Sequence, residues 1–157
     1  MVRATWIVAA VLLVLVLAGG AFLLRRGGGT AARQSDVKQF SERFAVNLAT
    51  YDYRHLDQDL SRVRAMTVSR FRSDYQGIQG DSTIGRAFKS NQAISTAKVA
   101  SGPFVASLTK DDARVLLVVE QTTRGKSAPQ PQTRRQQLDV FLVRITAGWR
   151  VDWVDIR

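Results

Sequence analysis

The sequence predicts an α+β domain behind a single N-terminal transmembrane helix. Three observations carry this reading. Twenty consecutive uncharged residues run from Thr5 to Leu24. Apolar residues at helical spacing dominate the stretch from Val37 to Tyr75. Apolar runs of strand character fill most of the stretch from Val99 to the C-terminus. Helices followed by antiparallel strands imply helices packed on one face of a sheet. The chain has 157 residues, enough for one domain rather than two. An apolar fraction of 45% and a charged fraction of 23% exclude the disordered and collagen-like classes. Cys is absent and His55 is the sole histidine, which excludes disulfides, thiol chemistry and His-rich metal sites.

The segment Thr5–Leu24 matches the bilayer, since a helix of that length spans about 30 Å. Trp6 stands where an interfacial aromatic belongs, and Arg25 and Arg26 close the far end. Residues 1–26 are therefore expected to be an uncleaved anchor. The rival is a cleaved signal peptide, favoured by the small residues Ala18, Gly19 and Gly20. The apolar run resumes at Phe22, Leu23 and Leu24, which favours the anchor. Charge alone does not favour an outward domain, because Arg25, Arg26 and Arg33 follow the span while Arg3 precedes it. Residues 27–34, beginning Gly27-Gly28-Gly29-Thr30, are expected to form a flexible linker, and residues 35–157 the folded domain.

Ser35 or Asp36 is expected to cap a first helix with Val37, Phe40, Phe44, Leu48 and Tyr51 on one face. Tyr51-Asp52-Tyr53 interrupts it. A second helix runs from about Leu56 to Met66 and presents Leu56, Leu60 and Val63. A third begins near Thr67 and uses Val68, Phe71 and Tyr75. Gly77, Gly80 and Gly85 make the following stretch irregular.

Four strands are expected. Val99–Leu108 is the first, bent at Gly102-Pro103. Arg114–Thr123 is the second, with a run from Val115 to Val119 that reads as covered on both faces. Leu138–Thr146 places Leu138, Val140 and Leu142 on one face and Phe141, Val143 and Ile145 on the other. Trp149, Val151 and Trp153 alternate with Arg150 and Asp152 in the last. Lys110-Asp111-Asp112 is a turn, and Ala147-Gly148 is a two-residue hairpin turn. Gly125–Arg135, with Pro129 and Pro131, reads as an extended loop. The expected core sets Val118, Val140, Phe141, Leu142, Trp149 and Val151 against Phe40, Phe44 and Leu48.

The anchor and tether, LATYDYRHLDQDLSRV from Leu48 to Val63, TVSRFRSDY from Thr67 to Tyr75, and the closing GWRVDWVDI together resemble the Mce (mammalian cell entry)-associated membrane proteins of mycobacteria. The Tyr51-Asp52 step and the Gly148-Trp149 pair near the end carry the resemblance. It implies a nuclear-transport-factor-2-like (cystatin-like) cone, related in layout to the type IV secretion inner-membrane scaffold component, with helices on a curved sheet of about four strands. It also implies a domain on the outer side of the cytoplasmic membrane. An excess of Arg over Lys, 18 to 5, with abundant Ala and Val, fits a GC-rich genome such as an actinobacterium's.

Cones of this kind also host isomerases and dehydratases with carboxylates and tyrosines in the mouth. The matching candidates are Asp52, Asp57, Asp59, Tyr51, Tyr53, Tyr75 and His55. A general base needs a tuned pKa and a substrate in reach, and nothing in the sequence indicates either. Asp52 and Asp57 read as caps of the second helix, and the tyrosines as packed rings. The formal charge is +10. Arg62, Arg64, Arg70 and Arg72 are candidates for a surface that meets an acidic partner or anionic lipid. A nucleic-acid partner is not expected outside the membrane. Trp149 and Trp153 read as core plugs sharing one face. No zinc spacing, Walker motif or calcium loop is present, so no metal or cofactor is expected. The expected function is a non-enzymatic accessory or scaffold subunit of a membrane complex, a Mce-type lipid or sterol importer by resemblance. The alternatives are a type IV secretion-like scaffold and a small-molecule-binding or isomerase-like cone enzyme.

Overall fold

The computed structural model describes residues 29–68, 71, 72, 75 and 82–157. The expected anchor, Arg70 and the stretch around Gly77 and Gly80 lie outside the described residues. Among the described residues no helix is long and apolar enough to cross a membrane. Met1–Asp36 and Val37–Arg157 are two compact units. In the first, residues 29–36 are helical. Ala31, Ala32 and Arg33 are strong helix formers, and Arg33 donates from Nε to the Gly29 carbonyl at 3.1 Å.

In the second unit, helix α1 covers residues 37–49. It buries Val37, Phe44, Ala45 and Ala49, with Ser41 in the same stripe. The Ser41 hydroxyl donates to the Val37 carbonyl at 2.8 Å, which allows a polar group inside the stripe. Phe40 and Leu48 flank the stripe, partly buried against the core. Tyr51–Asp52 then forms a two-residue strand, β1, where only an interruption was expected. Helix α2, Leu56–Ala65, buries Leu56, Leu60 and Val63 as its spacing implies. Its end is tied to the sheet by hydrogen bonds from Val68 N–H to the Val151 carbonyl and from Val151 N–H to the Met66 carbonyl, both 2.9 Å. Phe71, Arg72 and Tyr75 are helical, as the third-helix spacing requires. Helix α3, Thr83–Ser90, occupies part of the stretch expected to be irregular. Ser82 caps it by accepting the Gly85 N–H at 3.1 Å.

The sheet is a five-stranded antiparallel meander in the order β1-β2-β3-β4-β5, curled around the helices, rather than four strands. Its long members are β2 (Ile94–Leu108), β3 (Asp112–Gly125), β4 (Ala128–Ile145) and β5 (Gly148–Ile156). The inner face carries Val115, Leu117, Val119, Leu138, Val140 and Leu142, all buried. Leu116, Val118 and Phe141 lie on the other face, half-buried. Among the described residues the run from Val115 to Val119 is therefore covered by helices on one face only, and Val118 and Phe141 are not core.

Three further differences follow from sheet geometry. Phe141 pairs with Trp153 while Leu142 pairs with Val151, so Asp152 is an extra residue that forms a bulge. The bulge keeps Trp149, Val151 and Val154 inside and leaves Trp153 half-buried, so the two tryptophans do not share a face. The expected loop around Pro129 and Pro131 is strand. The prolines fall between the pairs Thr123–Gln132 and Gly125–Ala128, where the register shifts, so neither breaks a regular ladder. Beyond Leu138 toward Ala128, β4 also lacks a β5 neighbour. The hairpin turn at residues 126–127 docks on α3: Asn91 accepts the Ser127 N–H and hydroxyl, each at 2.8 Å. A Cβ on Gly125 would lie 2.9 Å from the Asn91 backbone carbonyl oxygen, an approach that favours glycine. The β4–β5 turn is Thr146-Ala147, one residue earlier than expected, and Gly148 at φ +102° opens β5 opposite Ile145. The turn at Lys110-Asp111 stands as expected, with the Thr109 hydroxyl accepting the Asp112 N–H at 2.9 Å.

Candidate functional site

The helices do not fill the cone. A cavity of about 370 Å³ remains between α1, α2, α3 and the inner face of the sheet. Leu48 and Ala49 of α1 and Leu56 and Leu60 of α2 form its apolar sides. Leu138 and Gln121 form the sheet side. Two aromatic pairs stand in the wall: Tyr51 stacks on Phe88 with centroids 4.9 Å apart, and Phe71 stacks on Tyr75 at 5.4 Å. Ile156, 49% exposed, marks the rim. A smaller polar recess of about 260 Å³ shares Gln121 and Gln136 with the cavity and adds Arg134.

The end of α1 is fixed by the sheet. The Ala49 carbonyl, unpartnered within its helix, accepts from the Ser95 hydroxyl at 2.7 Å and from Gln121 Nε2 at 2.9 Å. Ser95 and Gln121 were not singled out by sequence reasoning. Each lies on a strand whose register alone places it beneath α1.

The candidate acids are arranged for structure. Asp59 is 7% exposed and lines the cavity. Its Oδ2 accepts the Asp52 N–H at 2.8 Å, and its Oδ1 accepts from Arg62. Asp52 accepts from the Arg54 backbone N–H and from Arg54 Nε, each at 2.9 Å. The guanidinium holds the Asp52 carboxyl down to about 2. Neither Asp52 nor Asp57 caps α2. His55 occupies the N-cap with no side-chain bond to the helix, and Asp57 pairs with Lys89 at 3.3 Å. Burial pushes the Tyr75 hydroxyl up to about 12. Tyr51 and Tyr75 line the cavity, while Tyr53 borders a separate recess with Arg124 and Lys126. The structure thus gathers Asp59, Tyr51 and Tyr75 at one cavity and leaves Asp57, Tyr53 and His55 outside its lining.

Of the four candidate arginines, Arg62, Arg64 and Arg72 are described, and each meets different groups. Arg62 is engaged by Asp59. Arg72 donates to the Thr67 carbonyl at 2.8 Å. Arg64 has its Nε buried without a hydrogen-bond partner among the described residues. On the outer face of the sheet, Arg114 Nε donates to Asp139 at 2.9 Å and its guanidinium lies 5.1 Å from the Phe141 ring. That pairing accounts for the burial of Asp139, a residue only 5% exposed, on a face that no helix covers among the described residues. Phe104, 61% exposed, neighbours it through Leu116. Among the described residues no group of His, Asp and Glu is placed to hold a metal ion.

No family model matches the sequence. An uncharacterized protein of Mycobacterium tuberculosis is 29% identical over 106 residues, which are 68% of this chain and 47% of that protein. The chain thus spans about half the length of the curated relatives it matches. Solved structures are similar over more than three quarters of the chain. An IcmL-like type IV secretion system protein of Legionella pneumophila has a TM-score of 0.67 at 10% identity, over 78% of this chain and 91% of that one. The periplasmic domain of DotI has a TM-score of 0.66 at 15% identity, over 78% and 94%. Agrobacterium tumefaciens VirB8 has a TM-score of 0.60 at 11% identity, over 80% and 92%. These likenesses establish the fold as that of the VirB8-like domains.

Proposed function

We propose that this chain is a non-enzymatic, membrane-anchored scaffold subunit of a secretion-type envelope assembly, its folded domain on the outer side of the cytoplasmic membrane. The supporting observation is the likeness of the domain, over more than three quarters of the chain, to domains of type IV secretion proteins. The DotI structure is of a periplasmic domain, which favours the same side here. The acids of the cone support the non-enzymatic reading. Asp52, held at about 2 by Arg54, is a poor proton acceptor near neutral pH, and both Asp59 oxygens are engaged. The lipid-importer role that the Mce resemblance implies, and the anionic-lipid contact read from the arginines, draw no support from these likenesses.

The test has two parts. Protease added to intact spheroplasts is expected to digest the folded unit, and protection of that unit would reverse the orientation. The tagged full chain, isolated from native membranes, is expected to bring down several subunits of one secretion-type assembly. Recovery of lipid-importer subunits instead would replace this reading with the importer. Asp52→Asn is expected to leave that co-isolation unchanged. Loss of activity in a folded, fully assembled Asp52→Asn variant would favour a cone enzyme.

A further inference from the structure

We infer that the cavity between α1, α2, α3 and the sheet binds a small uncharged apolar molecule carrying one hydrogen-bonding group. This goes beyond the scaffold reading and does not rest on it. At about 370 Å³ the cavity lies at the lower end of the roughly 300–1,000 Å³ range of ligand sites. Its wall has the composition of such sites: aliphatic side chains, two stacked aromatic pairs and a few polar groups.

The charge of the wall selects the ligand class. Among the described residues, Asp59 is the one charged side chain in the lining, and Arg62 with the Asp52 N–H already balances it. A ligand ammonium would find its counter-ion occupied. A ligand carboxylate would be desolvated beside a like charge, which raises its cost further. Asn47 and Gln136 instead offer amides, which donate and accept and so suit a neutral hydroxyl or amide. Gln136 stands where the cavity meets the polar recess, placing that contact near the opening. The competing arrangement is an apolar acid with its carboxylate in the recess at Arg134. Arg134 is exposed there, so solvent screens its attraction.

Two probes with the same ring system separate these cases: 2-naphthol, neutral at pH 7, and 2-naphthoate. The full chain in lipid nanodiscs, with leucine methyls labelled, is titrated with each, and free probe is corrected against empty nanodiscs. Saturable shifts of the Leu56, Leu60 and Leu138 methyls are expected with 2-naphthol, and about tenfold weaker binding with 2-naphthoate. Ala49→Phe, which fills the cavity from α1, is expected to abolish the response. Ile156→Trp, at the exposed rim, does the same without touching the core. Absence of a saturable shift overturns the inference. So does equal or tighter 2-naphthoate binding, or a response that survives in whichever of the two variants folds.

Discussion

The Asp59 carboxylate of α2 accepts the backbone N–H of Asp52 in β1 at 2.8 Å. One buried acid thus joins the second helix to the first strand and closes one side of the cavity. The bond directs the edge of the sheet toward the helices, and Arg62 offsets the burial of the charge.

Removing that acceptor should therefore unfasten β1. Asp59→Ala leaves the Asp52 N–H without its carboxylate partner and is expected to cost about 1–3 kcal/mol. Asp59→Asn retains an acceptor oxygen and should cost less. Urea midpoints of the two variants check the order. Equal losses would mean that the charge, not the hydrogen bond, is what matters.

Phe44 is fully buried and meets Phe71 edge-on at 5.9 Å. Phe44→Ala is expected to cost about 3–5 kcal/mol, since α1 and the sheet cannot close around the lost ring. A denaturant titration that finds the variant near wild type would refute the seating of α1.

Asp52 sets a pH dependence. Its folded-state value, about 2, lies below the 3.8 of an ordinary aspartate. The pair with Arg54 therefore stabilises the fold fully above about pH 4, and the contribution is lost as pH falls through about 2. The pair is partly solvated, so its worth is about 1 kcal/mol or less. The stability difference between wild type and Asp52→Asn should shrink across that window. A difference that stays constant from pH 5 to pH 2 would contradict the assignment.

The bulge at Asp152 gives the two strand tryptophans different surroundings. Trp149 is 6% exposed, with Arg144 5.7 Å from its ring, while Trp153 sits half-buried on the outer face. Acrylamide should quench Trp153 more strongly than Trp149. Variants Trp149→Phe and Trp153→Phe, each in a Trp6→Phe background, isolate the two signals. Equal quenching would place both rings on one face.

Local periodicity determined much of the fold. The helical spacing of Val37, Phe44, Leu56, Leu60 and Val63 and the alternation of Leu138, Val140 and Leu142 each name the buried face, because a side chain's direction follows from its own backbone repeat. The α+β class was legible for the same reason, and the lack of thiol chemistry from the absence of Cys. Tertiary structure decided what depends on residues far apart in sequence. Pro129 and Pro131 are tolerated in β4 because the register with β3 shifts there and β5 has ended. Trp153 leaves the core because one extra residue enters β5 opposite an unbroken β4. Asp59 is a wall group because β1 brings an N–H to it, and Ser95 and Gln121 matter because α1 ends above them. The cavity exists because the curled sheet encloses more space than the helices fill, a volume that no single segment encodes.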